Sequence, residues 1–189
     1  MNTPHFQSDR RRAMSAVSLM AGLAAAGAAG AQGQGAATAT KLLQGKAAII
    51  TGARNNQGRA YAVALAKLGA DLVLHFHRND TKDQNDETVR LVREQGVRVT
   101  TVVGDMAEGG VAKAVFDAAQ STFGKIDVVV NTVGYIVKKP FAQLTEADYT
   151  RSERANVKAL FHVFQQSAQR LADNGRLIHI GTSLTAGTA

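Results

Sequence analysis

From residue 41 onward the chain alternates between two hydrophobic periods. Apolar, β-prone runs at 46–51, 71–77, 97–103, 126–131 and 176–180 are separated by stretches at 58–68, 81–95, 109–123 and 145–171, where apolar residues recur at helical spacing. The order is βαβαβαβαβ. The strand runs are almost continuously apolar, as in Val128-Val129-Val130, which predicts strands covered on both faces and therefore a parallel sheet between two helical layers. Right-handed crossovers make this an α/β fold with a doubly wound parallel sheet, whose ligands gather at the carboxyl ends of the strands.

The first of those ends reads TGARNNQG at 51–58, between the run KAAII and a helical pattern. Such a strand–turn–helix aims the unpaired N–H groups and positive dipole end of the helix at one point, where an anion is the natural occupant. Gly52 permits the sharp exit from the strand, and Gly58 permits close approach of backbone or ligand. On these residues alone an ordinary βα turn that binds nothing is an equal reading.

Composition narrows the function classes. The 189 residues are 45% hydrophobic, enough for one α/β domain, and there is no cysteine, which excludes disulfides and Cys-ligated zinc. His5, His75, His77, His162 and His179 show no metal-ligand spacing, so no metal is expected. The net charge of +7 is spread along the chain without basic runs interleaved with aromatics, so no nucleic-acid partner is expected.

Residues 1–31 form a different object. Arg10, Arg11 and Arg12 precede an uncharged Ala/Gly-rich stretch that closes on Ala29-Gly30-Ala31, the pattern of a cleaved signal peptide. The stretch is too short and too weakly apolar for a permanent membrane anchor. The arginine cluster resembles a twin-arginine signal, with a general secretory signal or an organelle transit peptide as alternatives. Export to the periplasm or beyond is the expectation, cytoplasmic residence applying where the signal is not used. Loss of the leader removes three Arg and one Asp, lowering the net charge from +7 to +5. Residues 32–40 read as a small-residue linker, and 41–189 as the folded domain.

The remaining strand ends read HFHRND, GDMAE, NTVG and GTSLTAG. With TGARNNQG they resemble the short-chain dehydrogenase/reductase family over about residues 41–189. The family's T-G-x-x-x-G-x-G is matched at Thr51, Gly52 and Gly58, with Asn56 in place of the middle glycine; asparagine tolerates a left-handed backbone better than other substituted residues. The family's N-N-A-G appears as Asn131-Thr132-Val133-Gly134. The resemblance implies a Rossmann-type domain and a nicotinamide cofactor held by Gly52, Arg54, Asn55, Gln57 and Gly58 in the first turn. It further implies contacts from His77, Arg78 and Asn79 after the second strand, Asp105 and Met106 after the third, and Asn131, Val133 and Gly134 after the fourth. Asp105 matches the aspartate that holds the adenine amino group. Asn156 and Ser183 match the catalytic asparagine of the proton relay and the serine that bonds the substrate carbonyl oxygen. A small-molecule carbonyl or alcohol substrate and a homo-oligomer are further implications.

Each position has a plainer reading. Asp105 suits a helix cap, Asn131 a tie between strand ends, and Ser183 a turn hydroxyl. Asn156 lies about 40° from Leu160 on a helix with the apolar stripe Val157, Leu160, Phe161, Phe164, Ala168 and Leu171, and so requires a buried partner. His75 and His77 suit an exposed surface or sheet edge. Cofactor type follows from the second strand end: an acid there binds the NAD ribose, whereas cations bind the 2′-phosphate of NADP. His75-Phe76-His77-Arg78 and Arg54 favour NADP over NAD and resemble the pteridine reductase-type branch, while Asp80 is the one residue that argues for NAD.

In the family the base is a tyrosine, with a lysine four residues later, on the helix after the fifth strand. Six residues follow Ser183, so the resemblance implies that the catalytic helix and C-terminal strands are missing. An oxidoreductase lacking its last elements and a catalytically inactive dinucleotide-binding fragment are both compatible with that. Tyr135 and Lys139 have the right spacing but fall in the loop after NTVG, and Pro140 disfavours helix at Lys139, so they are not expected to share a face.

Overall fold

The computed structural model describes residues 41–54, 56–78 and 82–182, all within one of the chain's two units, Thr40–Ala189. The expected leader and linker lie outside the described residues, as do Asn55, Asn79, Asp80 and Ser183.

Five parallel strands, β1 (Ala47–Thr51), β2 (Asp71–Phe76), β3 (Val99–Val103), β4 (Val128–Asn131) and β5 (Arg176–His179), form one sheet in the order β3-β2-β1-β4-β5. The order reverses at β1, so the loops after β1 and β4 diverge there and leave a crevice at the carboxyl ends. The helices are α1 (Asn56–Lys67), α2 (Lys82–Arg93), α3 (Gly109–Phe123), α4 (Glu146–Glu153) and α5 (Ala159–Arg170). All residues of β1 are buried and nearly all of β2 and β4, as their apolar runs require; β3 and β5, at the described edges, are largely open.

Two apolar layers flank the sheet. One packs Ile49, Val73, Val129 and Ile126 against Val115 and Phe116 of α3 and Val163 of α5; the other packs Ile50, Leu72 and Leu74 against Ala62 and Ala66 of α1 and Val92 of α2. Alanines on α1 allow that helix to lie close to the sheet.

The stretch 145–171 departs from the single helix expected. Thr145 starts α4 with a capping box, its hydroxyl accepting from the Asp148 amide. A π turn at Arg154–Lys158 then separates α4 from α5, and a 3₁₀ turn at Phe141–Gln143 precedes them. The extra residue in the π turn changes the helix phase. The core-facing positions are consequently Ala159, Val163 and Ser167, small enough for close packing on α3, whereas Val157, Phe161 and Phe164 of the expected stripe are exposed.

Candidate functional site

Between the diverging loops lies an open cleft of about 920 Å³, of the size that takes a nucleotide-scale ligand. Gly52, Arg54, His77, Arg78 and Asp105 line one part of it, and Thr132, Val133, Gly134 and Tyr135 another. Seven of the positions expected to bind cofactor thus share a single cleft.

The first turn is compact for a steric reason. Gly52 has φ +70°, and a Cβ on it would come within 2.8 Å of Thr132 Oγ1. A Cβ on Gly58 would sit on the Gly52 carbonyl, 2.9 Å from its carbon and 3.1 Å from Ala53 Cα. Asn56 has φ 47°, the left-handed backbone for which asparagine is suited. The turn is thereby folded back on itself, with the start of α1 behind it. This is a cradle that a Cβ would fill, and its shape and the cations beside it fit the phosphates of a dinucleotide.

His75 is where the expectation of an exposed residue fails. Its side chain is fully buried, with Nε2 2.8 Å from the Gly104 carbonyl oxygen and Nδ1 3.2 Å from the Gly52 amide. A carbonyl can only accept and an amide can only donate, so Nε2 carries the proton and Nδ1 is bare. Burial, aided by the charge of His77 and opposed by the Gly104 bond and Asp105, pushes the imidazole from 6.5 down to about 4. The residue's own carbonyl accepts from the Ala53 amide at 2.9 Å. One neutral histidine therefore ties the Gly52 turn to the end of β3. Burial of β2 on both faces put it inside, a signal present in its apolar neighbours.

Asp105 does not cap α3, whose N-cap is Glu108 without a side-chain bond; its Oδ1 accepts from the Ala107 amide at 2.9 Å in the turn before the helix, and its Oδ2 accepts from Arg154 at 3.0 Å. Burial alone would raise its carboxyl, but these two bonds together with the charges of His77 and Arg154 outweigh burial and hold it below the usual carboxylate range. Arg154 also donates to Glu108 at 2.6 Å. Arg154 and Arg151 line the cleft with Ala147, Thr150 and Ala155, a face with i, i+3, i+4, i+7 spacing that the sequence contained but its apolar stripe obscured.

Asn156, on the π turn, finds its buried partner in the main chain of Tyr135. Oδ1 accepts from the Tyr135 amide at 2.9 Å, and Nδ2 donates to the Tyr135 carbonyl at 2.8 Å and to Ser152 Oγ at 3.1 Å. It holds the cleft wall rather than lining it. Tyr135 and Lys139 are separated in use, as expected: the Arg151 guanidinium lies 4.1 Å over the Tyr135 ring, and Lys139 bonds Asp148 at 2.7 Å. Asn131 is a strand tie, accepting from Thr51 Oγ1 at 2.5 Å and lying 3.1 Å from His179 Nδ1. The Met106 side chain belongs to the core and does not line the cleft. Gln57 is exposed at the start of α1.

A crevice at the switch point of a doubly wound sheet, with a glycine turn on one side and cations on the other, defines a dinucleotide-binding domain. The chain belongs to the short-chain dehydrogenase family, whose model matches residues 46–187. It is 34% identical over 138 residues to the hydroxynaphthalene reductase-like protein Arp2 of Metarhizium brunneum, covering 73% of this chain and 51% of that protein. It thus spans about half the length of the curated relatives it matches. A dehydrogenase from Burkholderia cenocepacia with bound NADP superposes with TM-score 0.74 at 34% identity, covering 80% of this chain and 57% of that one. A short chain dehydrogenase from Mycobacterium paratuberculosis bound to NAD gives TM-score 0.70 at 27% identity, covering 75% of this chain and 57% of that one.

Proposed function

We propose that this chain is the cofactor-binding part of an NADP-dependent oxidoreductase that interconverts a small-molecule carbonyl and its alcohol, working as a homo-oligomer. The observation that carries the reading is the convergence of the Gly52 turn, Arg54, His77, Arg78 and Asp105 on one cleft. Amides of the turn and of the start of α1 would hold the diphosphate, Arg54, His77 and Arg78 the 2′-phosphate, and Asp105 the adenine. The nicotinamide, when bound, supplies hydride donation or acceptance. Asn156 keeps the Val133–Tyr135 wall in place through the Tyr135 main chain, and Ser183, outside the described residues, would bond the substrate carbonyl oxygen. The NADP-bound neighbour and the reductase-named relatives support the reading.

Titration of the full chain tests it. NADP(H) is expected to bind at least about tenfold more tightly than NAD(H), since charge-assisted bonds to the extra phosphate contribute about 1.5 kcal/mol or more. Arg54→Ala and Arg78→Ala should each erode that preference. Equal affinities for the two cofactors in the wild type would refute the NADP assignment.

The arginine-bearing leader supports export of the folded, cofactor-loaded protein. A mature chain beginning at Gln32 in an exported compartment is the expected product, retained in the cytoplasm when Arg10, Arg11 and Arg12 are replaced by Lys. Full-length chain throughout the cytoplasm of the wild type counts against it.

A further inference from the structure

Arg54 and Arg78 stand on separate loops, yet both main chains are fastened to one helix. Asn85 on α2, only 5% exposed, donates Nδ2 to the Arg78 carbonyl at 2.9 Å. One turn further on, the fully buried Thr88 places its hydroxyl 3.0 Å from the Arg54 carbonyl and 3.1 Å from the Gln84 carbonyl. That hydroxyl accepts from Arg59 Nε at 2.9 Å, while Arg59 Nη2 donates to the Arg54 carbonyl at 2.8 Å and to the Gln84 carbonyl at 2.9 Å. The Arg54 carbonyl thus receives two side chains, one from α1 and one from α2.

The arrangement carries a cost that packing alone does not account for. Asn85 Oδ1 is buried with no hydrogen-bond partner, which is destabilising. An apolar residue would fill the same place without that orphan acceptor, but it would release the Arg78 carbonyl. The retained amide is explained by what its other end holds.

We propose that Asn85 and Thr88, with Arg59, are positioning residues for cofactor choice: they fix the main chain of Arg54 and Arg78 so that the two guanidinium groups are presented together to a 2′-phosphate. This rests on the NADP reading given above. Neither Asn85 nor Thr88 lines the cleft, so they act through the arginines and not by touching the ligand. A fixed pair of cations loses less freedom on meeting a phosphate than two loose ones, and that advantage exists only for the phosphorylated cofactor.

The experiment measures dissociation constants of NADP⁺ and NAD⁺ by titration, with a melting curve for each protein, in the wild-type chain, Asn85→Ala, Thr88→Val and Thr88→Ser. Asn85→Ala and Thr88→Val are each expected to lower the NADP⁺/NAD⁺ preference about fivefold while NAD⁺ affinity stays within about twofold, the range of one lost hydrogen bond. Thr88→Ser, which keeps the hydroxyl and folds wherever the valine variant does not, should keep the wild-type ratio. Equal weakening of both cofactors, an unchanged ratio in the variants, or a Thr88→Ser ratio as low as that of Thr88→Val would overturn the proposal alone. A wild-type ratio near one would overturn the NADP reading before any variant is compared.

Discussion

Acidification from pH 6.5 to pH 4 is expected to destabilise the folded domain by on the order of 3 kcal/mol through His75 alone. The imidazole is held neutral in the fold and titrates at about 4 instead of 6.5, and a tenfold change in proton affinity corresponds to about 1.36 kcal/mol. The folded-state value is the lower one, so between the two values the unfolded chain binds more protons and stability rises with pH. The contribution is complete above pH 6.5, is lost as the pH falls, and is exhausted below about 4. A protonated ring would also set an N–H against the Gly52 amide, so the Gly52 turn should loosen first. Asp105 and Asp127 are likewise held below their ordinary value of 3.8, in each case because bonds from amides and cations outweigh burial. Their losses therefore fall at more acid pH and can be separated from that of His75. Urea midpoints measured from pH 7.5 to pH 4 should slope steeply in the wild type and flatten in His75→Gln, whatever the variant's stability at pH 7.5. Identical slopes would show that His75 is not the group responsible.

Gly58→Ala should be the most damaging small substitution in the described residues of the site. The added carbon would collide with the Gly52 carbonyl and crowd Ala53 Cα; these are backbone atoms of the tightest turn, and none can swing away as a side-chain tip could. Overpacking a rigid site costs about 1–3 kcal/mol, and more where the backbone must move; we expect about 3 kcal/mol of stability lost. Because the turn must open to admit the methyl group, cofactor affinity should fall by about a hundredfold or more, which corresponds to about 2.7 kcal/mol. Gly110→Ala is the control. It lies in the first turn of α3 with nothing within 4 Å of the added carbon, and alanine there should be neutral or stabilise by up to about 1 kcal/mol. Denaturation and cofactor titration of the two variants side by side provide the test. A Gly58→Ala protein that unfolds and binds like the wild type would mean the turn is more open than its geometry indicates.

Much of this was readable from local pattern. Helix and strand periods depend on near neighbours, so 46–51 and 109–123 could be assigned from the chain alone. The structure has Ala47–Thr51 and Gly109–Phe123 there. A parallel sheet then dictates that the segments after β1, β2, β3 and β4 meet at one edge, which is why Gly52, His77, Arg78, Asp105 and Gly134 could be grouped on pattern and topology.

What only the tertiary structure decided are the partnerships across that edge. His75 and Gly104 are 29 positions apart, Tyr135 and Asn156 are 21 apart, and Asp105 and Arg154 are 49 apart; no local period registers such pairs. The phase of the 145–171 stretch was lost for the same reason. A π turn at Arg154–Lys158 turns Arg151 and Arg154 to the cleft and leaves Phe161 and Phe164 outside, because the helix answers to Asp105, Tyr135 and α3 at once. Sequence periodicity fixes which face of an element is apolar. Which polar group meets which is set when buried donors and acceptors must all be satisfied within one packed volume.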